Sequence, residues 1–269
     1  MTSHTEPQWE NPVKKLLRSD KSAVGITITL SNVDIAAQAA SVGFDFLWVE
    51  MEHSHMSLET LHHMALALRS TKTTLLARVP VNELWTAKRV LDAGVMGVIF
   101  PFTNTAELAR QAVSACRYPP IGRRGSGAGL ANACWPDGNY YDLADANVLT
   151  IAMIEDVKGV ENIESICETP GLDLIFVGPG DLSFSLGLRG RQDDPKLGEA
   201  ISRVVNVAQR HGKFLGRPAT TADDVERYQK QGFRFFMGPT DLDFFAAGAQ
   251  LVLGPLGKQR GRGPTMDLP

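Results

Sequence analysis

The segment Leu172-Asp-Leu-Ile-Phe-Val-Gly-Pro-Gly-Asp-Leu-Ser183 constrains this chain more than any other. Its largely apolar run, Leu172 to Val177, reads as a strand buried on both faces, the kind found in parallel sheets. Gly178-Pro179-Gly180 ends the run, because proline cannot donate to a sheet ladder, and Asp181 follows. The segment Leu149 to Glu155 repeats the design and also ends in a single carboxylate. Two consecutive buried strands ending in Glu155 and then Asp181 would put two oxygen donors side by side on one rim. That donor set suits a hard divalent cation such as Mg²⁺ or Mn²⁺.

The same unit recurs along the chain. Residues 23–30, 46–51, 73–79 and 97–102 read as earlier strands, and 214–219 and 233–237 as later ones. Between them lie amphipathic stretches with helix punctuation. Asn32 and Ser57 stand at cap positions, and Gly43, Gly94 and Gly232 stand where helices stop. Eight strand–helix pairs in 269 residues predict a single-domain α/β fold, a closed (β/α)8 TIM barrel over residues 12–256. A short leading helix is expected from Pro12 to Asp20, a frayed N-terminus over 1–11 and a disordered tail over 257–269. An open doubly wound sheet would call for a GxGxxG turn after the first strand, and the chain has none there. The irregular stretch Arg117 to Asn147 exceeds a plain connection, and loops of that size are usually functional.

Composition narrows the function class. A net charge of −3, from 27 basic and 30 acidic residues, gives no reason to expect nucleic acid or a membrane surface as partner. No run approaches a membrane span, and the N-terminus has no basic and apolar signal pattern. Cys116, Cys134 and Cys167 form neither a zinc pattern nor a disulfide framework, so a reduced, cytoplasmic setting is expected. Helix residues 244–253 and the stretch 117–147 are too rich in Trp, Tyr, Phe and Leu for free surface, which predicts a homo-oligomer.

In a barrel of this kind the active site lies where strands end. Glu50-Met-Glu-His53 closes the second strand, Arg78 the third, Glu155 the fifth and Asp181 follows the sixth. Each has an ordinary structural reading alone: a strand-end histidine, a salt-bridged arginine, a capping carboxylate. Their convergence on one rim suits enolate chemistry. A divalent cation would chelate a 2-oxo acid, an arginine would hold charge at the keto oxygen, and a histidine would move the proton. His55, His62 and His63 receive no role. Arg217 and the loop 189–194 are candidates for tuning the acceptor, with solvated surface charge as the equal alternative.

Together Glu50-Met-Glu-His53, Ala77-Arg78, Arg117-Tyr-Pro-Pro-Ile-Gly-Arg-Arg-Gly125, Ile154-Glu155 and Val177-Gly-Pro-Gly-Asp-Leu-Ser183 resemble the HpcH/HpaI aldolase family over roughly residues 11–255. These are metal-dependent class II pyruvate aldolases, typified by 4-hydroxy-2-oxoheptanedioate aldolase. The resemblance implies a (β/α)8 barrel assembled as a homohexamer. It implies that Glu155 and Asp181 bind Mg²⁺, Mn²⁺ or Co²⁺, that His53 accepts the proton and that Arg78 stabilises the transition state. Asp92 matches the acidic residue that raises the basicity of the family's histidine. Gly180 matches the position whose amide meets the substrate carboxylate.

Two positions depart from the family pattern. Glu50 stands where most members have Asp, so any hydrogen bond to His53 must come from a longer side chain. Met153 stands where the type member has Gln, which removes a polar contact to substrate. The expected activity is reversible cleavage of a 4-hydroxy-2-oxo acid to pyruvate, or a related 2-oxo acid, and an aldehyde. The alternatives are oxaloacetate decarboxylation or an enolate addition like that of macrophomate synthase. An acyl-CoA lyase of the citrate lyase β type ranks lower, for want of a basic cluster suited to CoA. A barrel that only binds a 2-oxo acid ranks below these, because the Glu155, Asp181, Arg78 and His53 set is intact.

Overall fold

Every apolar run of the sequence pattern becomes a parallel strand of one closed barrel. The computed structural model describes residues 9–136 and 139–258. The strands are β1 (Ala23–Ile28), β2 (Phe46–Glu50), β3 (Thr74–Arg78), β4 (Gly97–Phe100), β5 (Leu149–Ile154), β6 (Leu174–Val177), β7 (Phe214–Pro218) and β8 (Phe235–Thr240). They pair in sequence order, and β8 closes onto β1. The helices are α1 (Pro12–Arg18), α2 (Val33–Ser41), α3 (Leu58–Leu68), α4 (Leu84–Asp92), α5 (Ala106–Cys116), α6 (Gly129–Asn132), α7 (Tyr140–Asn147), α8 (Val157–Glu161), α9 (Ile163–Cys167), α10 (Pro179–Ser185), α11 (Pro195–Arg210), α12 (Ala222–Gln229) and α13 (Asp241–Leu253).

Strand parity sorts the core into an inside and an outside. Phe46, Trp48, Leu76, Ile99, Ile151, Met153, Leu174, Phe176 and Phe235 fill the barrel interior. Phe46 stacks on Phe235 with ring centroids 4.1 Å apart, and Trp48 meets Phe176 at 4.8 Å. The alternate positions face outward, where Leu47, Val49, Leu75, Ala77, Ile175 and Val177 join the helix layer. The (β/α)8 expectation therefore holds, and with it the capping assignments. The Asn32 and Ser57 side chains accept amide hydrogens of their helices' first turns. Gly43, Gly94 and Gly232 take positive φ (105°, 113° and 96°), the left-handed conformation in which a chain leaves a helix.

Several boundaries differ for local reasons. The helix expected near Gly159 to Glu168 is two pieces, α8 and α9, broken at Asn162, whose side chain donates to the Asn104 carbonyl instead. β6 begins at Leu174 rather than Leu172, because Asp173 is drawn below the barrel. Its carboxylate accepts from the Thr150 amide (2.8 Å) and pairs with Lys14 (2.9 Å). β8 runs past Gly238-Pro239 to Thr240. A register shift between Gly25 and Thr27 of β1 absorbs the residues that cannot ladder.

Two expectations are corrected. The stretch 117–147 carries α6 and α7, and it joins the end of α5 to the start of β5. It therefore sits at the end of the barrel opposite the strand C-termini. There Trp135 donates to the Gly94 carbonyl (3.1 Å), and Tyr118 packs edge-on to Tyr141. Nor is the N-terminus frayed through residue 11. Asn11 is fully buried; it caps α1, its amide donates to Asn147 Oδ1 (2.7 Å) and its side chain donates to the Asn147 carbonyl (3.0 Å). With Val13 and Leu17, this makes α1 the plug of the barrel floor. Residues 1–8, and all of the expected disordered tail beyond Lys258, lie outside the described residues.

Losing a helix cap and leaving its buried partners unsatisfied costs about 2 kcal/mol or more. Asn11→Ala should therefore lower the unfolding free energy by about 2 kcal/mol in a urea titration. A midpoint matching that of the parent chain would refute the role of α1 as a plug.

Candidate active site

The rim chemistry grows from the parity that builds the core. Moving two residues along each strand from an interior core side chain reaches the next inward position. Above Trp48 stands Glu50, above Leu76 Arg78, above Met153 Glu155, and above Phe176 Gly178. Two pairs of adjacent strands, β2–β3 and β5–β6, thus end in two carboxylates, a guanidinium and a residue without a side chain. Gly178 has no Cβ because one there would lie 2.9 Å from both Cβ and Oε2 of Glu155. The bare backbone makes room for the carboxylate.

Glu50 and Arg78 face each other across the β2–β3 ladder. Oε2 of Glu50 accepts from Arg78 Nε at 2.5 Å and from the indole of Trp48 at 3.3 Å. Its Oε1 accepts the amides of Glu52 (2.7 Å) and His53 (3.0 Å). Both side chains are buried. Glu50 is therefore consumed in holding Arg78 and shaping the turn. The expected side-chain hydrogen bond from Glu50 to the His53 ring is absent.

A carboxylate that sequence reasoning passed over takes the place beside the ring. Glu52 Oε2 lies 3.7 Å from His53 Nε2 and 3.4 Å from Arg78 Nη1. The same oxygen is buried and accepts no hydrogen bond. Burial pushes the Glu52 carboxyl above its ordinary range, opposed by Arg78 and then His53, and aided by Glu50 and Asp181. The signal was available in the sequence, since Glu52 shares the parity of Glu50. His53 itself is half exposed, its side chain open to 48 %.

Glu155 is 1 % exposed, and burial pushes its carboxyl up to about 7. Oε1 accepts the Phe102 amide at 2.8 Å, offered by a residue in the left-handed conformation (φ 45°), whereas Oε2 accepts nothing. Asp181 stands on the next strand's connection, in the first turn of α10, half-buried beside Gly180. Ser185, at the far end of α10, donates to Asp156 Oδ2 (2.9 Å) and accepts the Val157 amide (3.0 Å). That clip joins the Glu155 loop to the Asp181 helix. The donor set fits a divalent cation: hard oxygens from neighbouring strands, one of them buried without a partner.

Two expected residues are not brought here. Asp92 ends α4, and a crossover helix ends at the strand N-termini, so it lies at the opposite end of the barrel from His53. There it pairs with the fully buried Arg124 (3.1 Å), which also donates to the Tyr140 hydroxyl (2.8 Å). Arg217 points outward from β7, its guanidinium stacked 3.4 Å from the Tyr228 ring centroid, and does not face the site. The other carboxylate cluster, Glu164, Glu168 and His211, lies on the helix layer. Glu164 is already engaged by Arg210 (2.8 Å) and His211 (2.6 Å), which reads as a surface ion-pair network. A surface concavity also lies on that layer, beside Glu164 and Arg210, remote from the rim chemistry.

The chain is similar to known proteins over most of its length. The family model for HpcH/HpaI aldolase/citrate lyase matches residues 24–247. A 5-keto-4-deoxy-D-glucarate aldolase of Shigella boydii is 35 % identical over 245 residues, 91 % of this chain and 95 % of that protein. A hydroxypyruvate/pyruvate aldolase of Cupriavidus necator is 32 % identical over 261 residues, 96 % of this chain and 97 % of the relative. The crystal structure of an HpcH/HpaI aldolase from Desulfitobacterium hafniense superposes with a TM-score of 0.85 at 28 % identity, covering 94 % of this chain and 99 % of the other.

The raised Glu155 carboxyl has a consequence for the metal-free chain. A folded-state value above the unfolded one, 4.5, favours folding below 4.5 and loses that contribution as pH rises through about 7. Glu155→Gln, which cannot ionise, should therefore gain on the parent by about 2.5 kcal/mol as pH goes from 5 to 8. Thermal melts in chelator that keep a constant gap across that range would contradict the assignment.

Proposed function

The chain belongs to the HpcH/HpaI aldolase/citrate lyase family, whose relatives here are aldolases, and from that premise we propose that it cleaves a 4-hydroxy-2-oxo acid reversibly to pyruvate, or a related 2-oxo acid, and an aldehyde. The observation that carries the reading is Glu155, a buried carboxylate with one unpartnered oxygen, one strand away from Asp181 and on the same rim as Arg78. In this reading Glu155 and Asp181 hold a Mg²⁺, Mn²⁺ or Co²⁺ ion. When bound, that ion supplies Lewis acidity toward the oxygens of a 2-oxo acid.

The chain's own residues divide the rest of the work. His53 takes the proton of the 4-hydroxyl. The C3–C4 bond breaks, its electron pair moves toward the keto oxygen, and the aldehyde leaves. Arg78, held rigid by Glu50 and stacked near Trp48, keeps its guanidinium where that oxygen gathers charge. His53 then returns the proton, through water, to C3, and pyruvate forms. Gly180, in the first turn of α10, offers its amide to the substrate carboxylate. The fully buried Met153 beneath Gly178 gives this floor an apolar surface.

Oxaloacetate decarboxylation needs the enolate but no base at a hydroxyl, so the two activities separate the roles. Asp181→Ala should abolish metal-dependent turnover while the far-UV spectrum and melt stay those of the parent. Arg78→Ala should depress aldol cleavage and decarboxylation alike, on the order of 10²–10³-fold. His53→Ala should depress aldol cleavage by about 10²–10⁴-fold and spare decarboxylation comparatively. Activity indifferent to chelator, or equal loss of both reactions in His53→Ala with metal retained, would overturn the scheme.

Assembly belongs to the same reading. α13 buries only Asp241, and Phe245 and Leu251 are 76 % and 80 % exposed on a helix whose only other polar residues are Asp243 and Gln250. Such a face fits a homo-oligomer, a hexamer by family resemblance, working on small molecules in the cytoplasm. Among the described residues no helix is long and apolar enough to cross a membrane. Because Asp92 and His53 lie at opposite ends of one barrel, any influence of Asp92 on the histidine must run between copies. Co-expressed His53→Ala and Asp92→Asn chains should then form mixed oligomers more active than either variant alone. Light scattering at the monomer mass of 29.3 kDa for an active sample would refute the assembly.

A further inference from the structure

His53 has one carboxylate within reach of its ring, and it is not the residue that precedes it by three. All four hydrogen bonds of Glu50 go elsewhere, to Arg78, Trp48 and the amides of Glu52 and His53. Glu52 Oε2 is the reverse case, a buried acceptor with nothing bonded to it. Two donors stand just beyond contact, His53 Nε2 at 3.7 Å and Arg78 Nη1 at 3.4 Å. The other charged groups around Glu52 are Glu50, Asp181 and Glu155, all acidic, so none of them can satisfy it. A buried carboxylate oxygen without a partner is costly, and a small rotation of the half-exposed imidazole removes that cost.

We propose that Glu52 is the positioning residue of His53: its Oε2 takes the Nε2–H of the imidazole, fixes the tautomer and leaves Nδ1 as the atom that receives the substrate proton. This rests on the reading of His53 as the proton acceptor. In cleavage, the 4-hydroxyl proton moves to Nδ1, giving an imidazolium that Glu52 faces. The C3–C4 electron pair becomes the enolate, and the same proton later forms the new C3–H bond, so the ring ends neutral. Glu50 is spent on Arg78. Glu52 takes over the orientation of the histidine.

The test uses the full chain saturated with Mg²⁺, labelled with ¹⁵N-histidine and held at alkaline pH, with His53 assigned by the signal lost in His53→Gln. Long-range ¹H–¹⁵N spectra should show the proton on Nε2. Glu52→Met, which removes the acceptor, should scramble the tautomer and lower kcat for aldol cleavage on the order of 10–10²-fold with little change in KM. That is the span seen when the outer partner of a functional histidine is lost. Glu52→Gln keeps an oxygen in place and should recover most of both. Oxaloacetate decarboxylation, which uses Arg78 but not the histidine, should be unchanged in Glu52→Met. A parent ring protonated on Nδ1, or a Glu52→Met variant with parental tautomer and kcat, would overturn the proposal. So would equal loss of both reactions, which would put Glu52 to work on Arg78. If His53→Ala keeps full aldol cleavage, the reading of His53 fails, while the tautomer spectrum still decides the Glu52 contact.

Discussion

Closure of a parallel eight-stranded barrel forces every second side chain of every strand into one narrow interior. Nearly everything else follows from that constraint. Below the rim the inward positions must be apolar and close-packed, and Phe46, Trp48, Phe176 and Phe235 satisfy this with stacked and tilted rings. At the rim the same positions meet solvent and substrate, and there charge becomes possible. Glu50, Arg78 and Glu155 are thus the top layer of the core in register terms, which is why they are buried and rigid. A site on this layer inherits the stiffness of the barrel.

The two ends of the barrel do different work. The strand C-termini carry the carboxylates and the guanidinium. The strand N-termini carry α1, the pair Asn11–Asn147, the Lys14–Asp173 bridge and the Arg124 cluster stacked with Tyr118 and Tyr140. Burial holds the Lys14 amine below its ordinary range, against the pull of Asp173. Such a charge, once enclosed, is tolerated only with its partner in place. The most distinctive sequence segment, Arg117 to Gly125, belongs to this closed end. There Arg124 pairs with Asp92, and the segment touches none of the rim groups of its own barrel.

Most of the fold was legible, because parity and helix punctuation are local. Glu155 and Asp181 could be placed from strand ends alone, and the structure sets them in the segments that follow two adjacent strands, β5 and β6. The misplacements share one cause: side-chain direction was not followed as closely as sequence position. Arg217 has the opposite parity to Phe214, Gly216 and Pro218, so it had to point outward, against Tyr228. Asp92 ends a helix, and a helix that crosses back ends at the far face. The stretch 117–147 follows a helix rather than a strand, and so falls at that face too. By contrast, nothing in the spacing of Glu50-Met-Glu-His53 tells which carboxylate the arginine will capture. That depends on the β2–β3 register, which sets Glu50 opposite Arg78.

Two rim carboxylates, Glu155 and Glu52, are the ones the fold supports least. Glu50 is compensated by a guanidinium, an indole and two amides, so its burial is self-consistent. Glu155 has one amide for two oxygens, and Glu52 keeps one buried oxygen without any donor. Left like this, each carries the desolvation cost of an unsatisfied acceptor, about 1–3 kcal/mol. A protein selected for stability alone would carry apolar residues there, like the buried Met153 directly beneath Glu155. In the proposed function a divalent ion would answer Glu155 and an imidazolium would answer Glu52. The unsatisfied oxygens are therefore where a physical reading of this barrel finds its function, since they are the groups whose burial the fold alone does not explain.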